Sequence, residues 1–192
     1  MKKSLFLFFT ICSFIQLANA QLQSCELILS NGSKSIVQGK IGGSKFKYKL
    51  SGQNKIHKIH FSEIGSVKVN YSEDDFKIYK YFKVESSGKF KVLEEIEKGK
   101  VSLYITSSSG YMNPFASGMG RMPYTIENYY LKKQSDDEVI HLASNRLFSK
   151  NFIEGSTAFF KDCEDLTNKI KNKELKKRDI IEIVKFYNNH CN

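Results

Sequence analysis

Tryptophan is absent from this 192-residue chain, and proline occurs only twice. Both prolines, Pro114 and Pro123, fall in one stretch, and no linker divides the chain into two domains. The four histidines and four cysteines form neither His-Glu-x-x-His nor Cys-x-x-Cys, which removes the familiar zinc and dithiol signatures. After the first residues, no segment approaches the roughly 20 apolar residues of a membrane-crossing helix. Acidic residues are the minority, 20 Asp and Glu against 30 Lys and Arg. No internal repeat is present. With 41% hydrophobic and 26% charged residues, the composition is that of a folded chain.

What is present begins with an export address. Lys2 and Lys3 precede an uncharged run over residues 4–17, rich in Leu, Phe and Ile. Ala18-Asn19-Ala20 then supplies the small-x-small pattern of a signal-peptidase site, so cleavage is expected after Ala20, leaving Gln21 first. The expected destination is the periplasm, the outer membrane or the medium, where cysteines can pair. Losing Lys2 and Lys3 leaves 28 basic against 20 acidic residues, or +8. The excess is mostly Lys scattered along strand-like segments, which suits a soluble surface. It would also suit an anionic envelope polymer. Nucleic acid is not an expected partner, since no binding motif appears and export removes the chain from the genome.

Over residues 25–142 apolar residues recur mostly with period two, the spacing of half-buried strands. Residues 26–29 end at Asn31-Gly32, a hairpin signal, and 36–41 return. Phe46, Tyr48 and Leu50 alternate with Lys45, Lys47 and Lys49. Residues 56–61 and 67–71 read as strands around a turn at 62–65. A meander is expected next. Phe76, Ile78, Phe82 and Val84 share one face, followed by Phe90, Val92 and Ile96, then Val101, Leu103 and Ile105. Residues 124–133 and 139–142 form a last hairpin about Ser135-Asp136-Asp137. Residues 107–123, with three Gly, two Pro and three Met, have no period and read as a long surface loop.

After Asn145 the period becomes helical. Residues 147–161 are expected to form a helix. Asp162 is placed as the N-cap of the next, with Glu164 and Asp165 in its first turn. Ile180, Ile183, Val184 and Tyr187 mark a last helix. The fold expected is α+β: a curled antiparallel sheet or barrel-like β region, followed by two or three helices. Residues 1–20 are the signal peptide, 21–145 the β-rich region and 146–192 a helical region packed on it, one domain overall. Cys12 leaves with the signal, so three thiols remain. Cys163 opens the penultimate helix and Cys191 closes the last. An antiparallel hairpin turning near residues 173–177 would bring them together as a disulfide. A bridge to Cys25, or three free thiols, is the alternative.

Candidate chemistry is sparse. His57 and His60, three apart on a strand, point to opposite faces and cannot chelate one ion without a bulge. Glu73-Asp74-Asp75 and Asp136-Asp137-Glu138 fall at turns without calcium-loop spacing. No metal or cofactor is expected. The strand Lys77-Ile78-Tyr79-Lys80-Tyr81-Phe82-Lys83 is the best binding candidate. With Ile78 and Phe82 facing the core, Lys77, Tyr79, Tyr81 and Lys83 would line the other face and stack on sugar rings or hold an anionic polymer. That face could instead be covered by helices or strands. Met112, Phe115, Met119 and Met122 offer a second, apolar candidate. Leu22-Gln23-Ser24-Cys25 is part of a lipobox, with Gln23 a poor fit, so lipidation of Cys25 is the weaker alternative to a free thiol.

Three segments carry a resemblance. They are Glu94-Glu95-Ile96-Glu97-Lys98-Gly99-Lys100-Val101-Ser102-Leu103-Tyr104, Tyr129-Tyr130-Leu131-Lys132-Lys133, and Phe159-Phe160-Lys161-Asp162-Cys163-Glu164-Asp165-Leu166 with its continuation to Tyr187-Asn188. Together they resemble a family of uncharacterised secreted proteins common in Bacteroidota. That family often has proline after the first of its two C-terminal cysteines, where Glu164 stands here. The resemblance implies a Gram-negative envelope or secreted setting and no activity. The expected function is a non-enzymatic envelope or secreted module for structure or interaction. A binder of glycan or anionic envelope polymer is the alternative, and a hydrolase with dispersed carboxylates the second.

Overall fold

The period-two segments pair into one antiparallel sheet in the computed structural model, which describes residues 22–112, 122–145 and 152–191. Among these residues lie ten strands. They are β1 (Gln23–Leu29), β2 (Lys34–Ile41), β3 (Lys45–Lys49), β4 (His57–His60), β5 (Ile64–Asn70), β6 (Phe76–Lys83), β7 (Phe90–Glu97), β8 (Val101–Met112), β9 (Met122–Lys133) and β10 (Ile140–Ser144). Their order across the sheet is β10-β9-β8-β7-β6-β5-β1-β2-β3-β4. Helices α1 (Phe152–Phe159), α2 (Glu164–Lys171) and α3 (Ile180–His190) follow. The fold is therefore α+β, a curled antiparallel sheet followed by three helices.

Register shows how one face becomes concave. Tyr79 lies opposite both Val67 on β5 and Glu94 on β7, and Val67 lies opposite Leu27 on β1. Cys25 faces Val37, and Ile41 faces Phe46. All these side chains share one face. A 3-10 turn, Phe61–Glu63, leaves β4 and folds back, so that the Phe61 ring stacks 6.1 Å from Tyr81 on β6. The first core is enclosed in this curl: Cys25, Leu27, Val37, Phe46, Phe61, Ile64, Val67 and Val69 are buried, with Tyr79, Tyr81 and Val92 packed on them. Gly39 lies under the Phe46 ring so closely that any Cβ there would collide with it.

Further along the same face the helices provide the cover. Val101, Leu103 and Leu131 pack against Phe160, Leu166, Ile170, Ile183, Val184 and Tyr187. Asn188 ties α3 to the sheet: its Oδ1 accepts the Val101 N–H at 2.9 Å and its Nδ2 donates to the Val101 carbonyl at 2.9 Å. Gly99 leaves room for that amide. Lys100 Nζ donates to the Cys191 carbonyl at 2.6 Å, meeting the negative end of the α3 dipole. The opposite, convex face holds a smaller cluster of Val84, Leu93, Tyr104, Tyr130 and Val139.

Several expectations need correction. Residues 107–123 are not one loop, for β8 runs to Met112 and β9 starts at Met122. Ser107, Ser108 and Ser109 carry no apolar period, yet their backbones pair with Glu127, Ile126 and Thr125. A ladder of backbone hydrogen bonds needs no apolar alternation once a neighbouring hairpin sets its register. Phe115 and Met119 lie outside the described residues, as do Ala20 and Gln21. The helix expected over 147–161 is seen from Phe152 to Phe159. Asp162 is not the N-cap of α2; Cys163 holds that place, without a side-chain cap bond. The Asp162 carboxylate instead accepts from Lys133 Nζ at 2.7 Å and Tyr187 Oη at 2.8 Å.

The strand β6 alternates as expected, and the face that carries Lys77, Tyr79, Tyr81 and Lys83 is the concave one. Tyr79 and Tyr81 pack on the first core, while Phe82 joins the convex cluster. Both faces are half-buried because the sheet has cores on both sides. Cys25 sits mid-strand, fully buried, with its thiol 3.2 Å from the Gln23 carbonyl. Burial pushes this thiol up to about 11. A side chain enclosed between paired strands is no attachment point for a lipid, which counts against the anchor reading. Cys163 and Cys191 lie at disulfide distance, their Cα atoms 5.6 Å apart, as the helical hairpin predicts.

Candidate functional site

The two cores on the concave face do not meet. Between the curl and the helix-covered half, a cleft of about 610 Å³ lies over β6, β7 and β8. Its lining mixes aromatic, charged and hydroxyl groups: Lys77, Tyr79, Phe90, Glu94, Thr106 and Ser107, with Gly42 and Gly43 at the corner after β2. Strand pairing produces this mixture. Tyr79 and Glu94 are direct cross-strand neighbours, and Glu94 in turn faces Ile105.

Phe90 is 55% exposed although it is a large apolar ring. It stands at the start of β7 and lies flat on Tyr81, ring centres 5.0 Å apart and planes 14° from parallel. Tyr81 is itself held by Phe61 from one side and by the His60 edge at 5.6 Å. Phe90 is thus a ring with one face supported and the other available, backed by buried aromatics. Opposite it, Lys77 Nζ and Glu94 Oε1 form an ion pair at 3.0 Å. The Glu94 hydrogen bond raises the Lys77 pKa above its ordinary value, so the ammonium stays charged. Burial, then a hydrogen bond with Tyr71, holds the Tyr79 phenol well above its ordinary range, so it remains a neutral donor.

Of the four residues singled out on β6, Lys77 and Tyr79 line the cleft. Tyr81 serves beneath Phe90, and Lys83, the cross-strand neighbour of Phe90, is paired with Glu138 and does not line the cleft. Phe90, Glu94, Thr106 and Ser107 were not foreseen as site residues. Phe90 had a signal: an aromatic residue directly after the Ser86-Ser87-Gly88-Lys89 turn, at the mouth of a strand. The two histidines do not converge on a metal. His57 stacks on Tyr48 and His60 bonds to Ser62. No group of three or more His, Cys, Asp or Glu among the described residues could hold a metal ion. Tyr111 and Met122, 72% and 57% exposed, extend the β8–β9 ribbon into solvent. No helix among the described residues is long and apolar enough to cross a membrane. Searches of protein-family models, curated proteins and solved structures returned no match to this chain.

Proposed function

We propose that this is an exported, non-enzymatic interaction module of the cell envelope whose concave cleft holds a segment of glycan. The observation that carries the reading is Phe90, an exposed ring backed by Tyr81 at the mouth of the cleft. Sugar rings present a patch of C–H groups that packs on an aromatic face, with hydroxyls around the edge. The cleft supplies both kinds of partner: Phe90 for the ring, and Lys77, Glu94 and Ser107 for the hydroxyls. A salt bridge with both charges near one sugar can donate and accept at once. The signal-like N-terminus and the resemblance to secreted proteins supply the envelope setting.

The test uses the chain lacking residues 1–20 on a panel of neutral and anionic glycans. Phe90→Ala should weaken the best ligand by about three- to tenfold, the loss expected for one stacking contact. Its melting temperature should stay near wild type because the ring is exposed. Tyr79→Ala with Tyr81→Ala is a poorer probe, since both rings pack on the first core and their loss lowers stability. Equal binding by wild type and Phe90→Ala across the panel overturns the reading.

A further inference from the structure

A second cavity, of about 290 Å³, lies on the opposite face of the sheet. It is walled by the β7–β8 turn and the end of β9, and its lining includes Lys80, Glu95, Lys98, Ser102, Tyr104 and Lys132. Lys133 lines it too, but its ammonium is bonded to Asp162 at 2.7 Å, so three ammonium groups are left to one carboxylate. That carboxylate is already committed: Glu95, its side chain 7% exposed, accepts from Lys80 Nζ at 2.7 Å and from Tyr104 Oη at 3.2 Å. Burial and the Glu95 charge raise the Tyr104 pKa, keeping its proton in place as the donor. Glu95 thus cancels Lys80 and fixes its direction, while no carboxylate among the described residues pairs with Lys98 or Lys132.

Lys132 is held rather than free to sweep. Its Nζ donates to the Lys133 carbonyl at 3.3 Å and lies 5.6 Å from the centre of the Phe82 ring. These contacts leave further N–H groups, since an ammonium carries three. Lys98 is exposed at the turn, and Ser102 adds a hydroxyl on the strand below. The lining is rich in donors, and its one carboxylate is spent internally. For a neutral sugar the acceptors left are the Gln134 amide and the Ser102 hydroxyl, fewer than the donors. A compact group carrying two negative oxygens would satisfy the surplus charge and the spare donors together.

We infer that this convex-face cavity is a binding site for a phosphate or sulfate group, separate from the concave cleft. Lys98 and Lys132 supply the net charge, Lys80 a positioned third ammonium, and Ser102 a neutral donor. The same chemistry could arrive as a free ion or as an ester on a sugar.

Amide shifts of the chain lacking residues 1–20 should be followed at constant ionic strength. The titrants are inorganic phosphate, sodium sulfate and glucose 6-phosphate, with glucose and sodium chloride as controls. Saturable shifts should cluster at Lys80, Lys98, Ser102 and Lys132. Lys98→Gln with Lys132→Gln should weaken binding by roughly tenfold or more, as expected for lost charged hydrogen bonds. Lys98 is exposed and Lys132 half-buried, and an unchanged amide spectrum elsewhere verifies folding. Binding of the inorganic ions identifies a free-anion site; binding of the sugar phosphate alone identifies an ester site. Absence of saturable shifts, shifts spread over lysines throughout the chain, or unchanged affinity in the double variant overturns the inference. The concave-cleft residues should not respond, so failure here leaves the glycan proposal standing, and the reverse holds too.

Discussion

Phe46 and Ile183 are both fully buried against the same face of one sheet, yet different partners cover them. Around Phe46 the sheet covers itself. Six strands, from β6 round to β4, curl until Phe61 meets Tyr81. Around Ile183 the sheet stays open, and three helices supply the other layer, with Cys163 and Cys191 set against each other at their ends. A self-curled sheet needs tight internal fit and gives little room for error, as Gly39 under Phe46 illustrates. A helical cover is joined to the sheet at a few points and can be loosened separately. The cleft exists because these two ways of burying one face end before they meet.

The largest expected effect breaks the curled half. Phe46→Ala removes a fully buried ring and should cost about 3–5 kcal/mol in urea denaturation. Because β7 contributes to both regions, Val92 to the curled core and Ile96 to the helix-covered one, tyrosine near-ultraviolet and helical far-ultraviolet signals should fall in one transition. Two separate midpoints would show that the halves are independent, and the comparison would become one between domains.

The next effect loosens the helical half. Replacing Cys163 and Cys191 by Ser should cost about 3–4 kcal/mol in the chain-entropy picture. Hydrogen exchange should rise first in α2 and α3 and leave β1 and β2 protected. In the intact native protein, Cys25 should resist iodoacetamide, since it is buried and its pKa stands near 11. Denaturation of the chain lacking residues 1–20, without reduction, should then label Cys25 alone. A peptide linking Cys25 to either other cysteine would overturn the assignment.

The smallest effect sharpens the contact between sheet and helices. Burial pulls the Asp162 pKa up, but hydrogen bonds from Lys133 and Tyr187 outweigh this and leave it lowered. The Lys133 pKa is raised by its bond to Asp162, and that of Tyr187 is raised by burial and then by Asp162. A lowered carboxylate pKa gives stability that is present above the unfolded-state value and lost as pH falls through the folded one. The raised lysine and tyrosine values give stability that is present below their unfolded values and lost as pH rises through the folded ones. The network should therefore contribute across the neutral range and fade at both ends. Solvent exposure limits it to less than about 1 kcal/mol. Asp162→Asn should flatten both edges of the stability–pH curve, and an unchanged curve would show the network to be inert.

Legibility followed burial. Most of β1 to β7 was readable because half-buried strands alternate their apolar residues, as in Phe46 and Tyr48, although Ile64 and Gly65 at the start of β5 read as a turn. The end of the β8–β9 ribbon was not readable, because both of its faces meet solvent and Ser107 to Ser109 leave no pattern. Asp162 was misassigned for a related reason. A carboxylate just before a helix looks like a cap, but Lys133 and Tyr187, 29 and 25 residues away, compete for it and win. The cleft was half visible. Lys77 and Tyr79 could be marked from β6 alone, whereas Phe90 and Glu94 join them only through the β6–β7 register.

By itself the sequence determined the antiparallel strands and a helical end of two or three helices that favours pairing Cys163 with Cys191, because period, turn residues and helical spacing act locally. Residues 94–104, 129–133 and 159–188 converge on the helix-covered core through Val101 with Asn188 and Lys133 with Asp162. Only the tertiary structure decided which face of β6 turned inward. It also decided where the two cores stopped, and that lysines on β6, β9 and a turn would share one cavity. Those outcomes depend on the curl of the whole sheet, a sum of small twists over ten strands that no short stretch of sequence encodes.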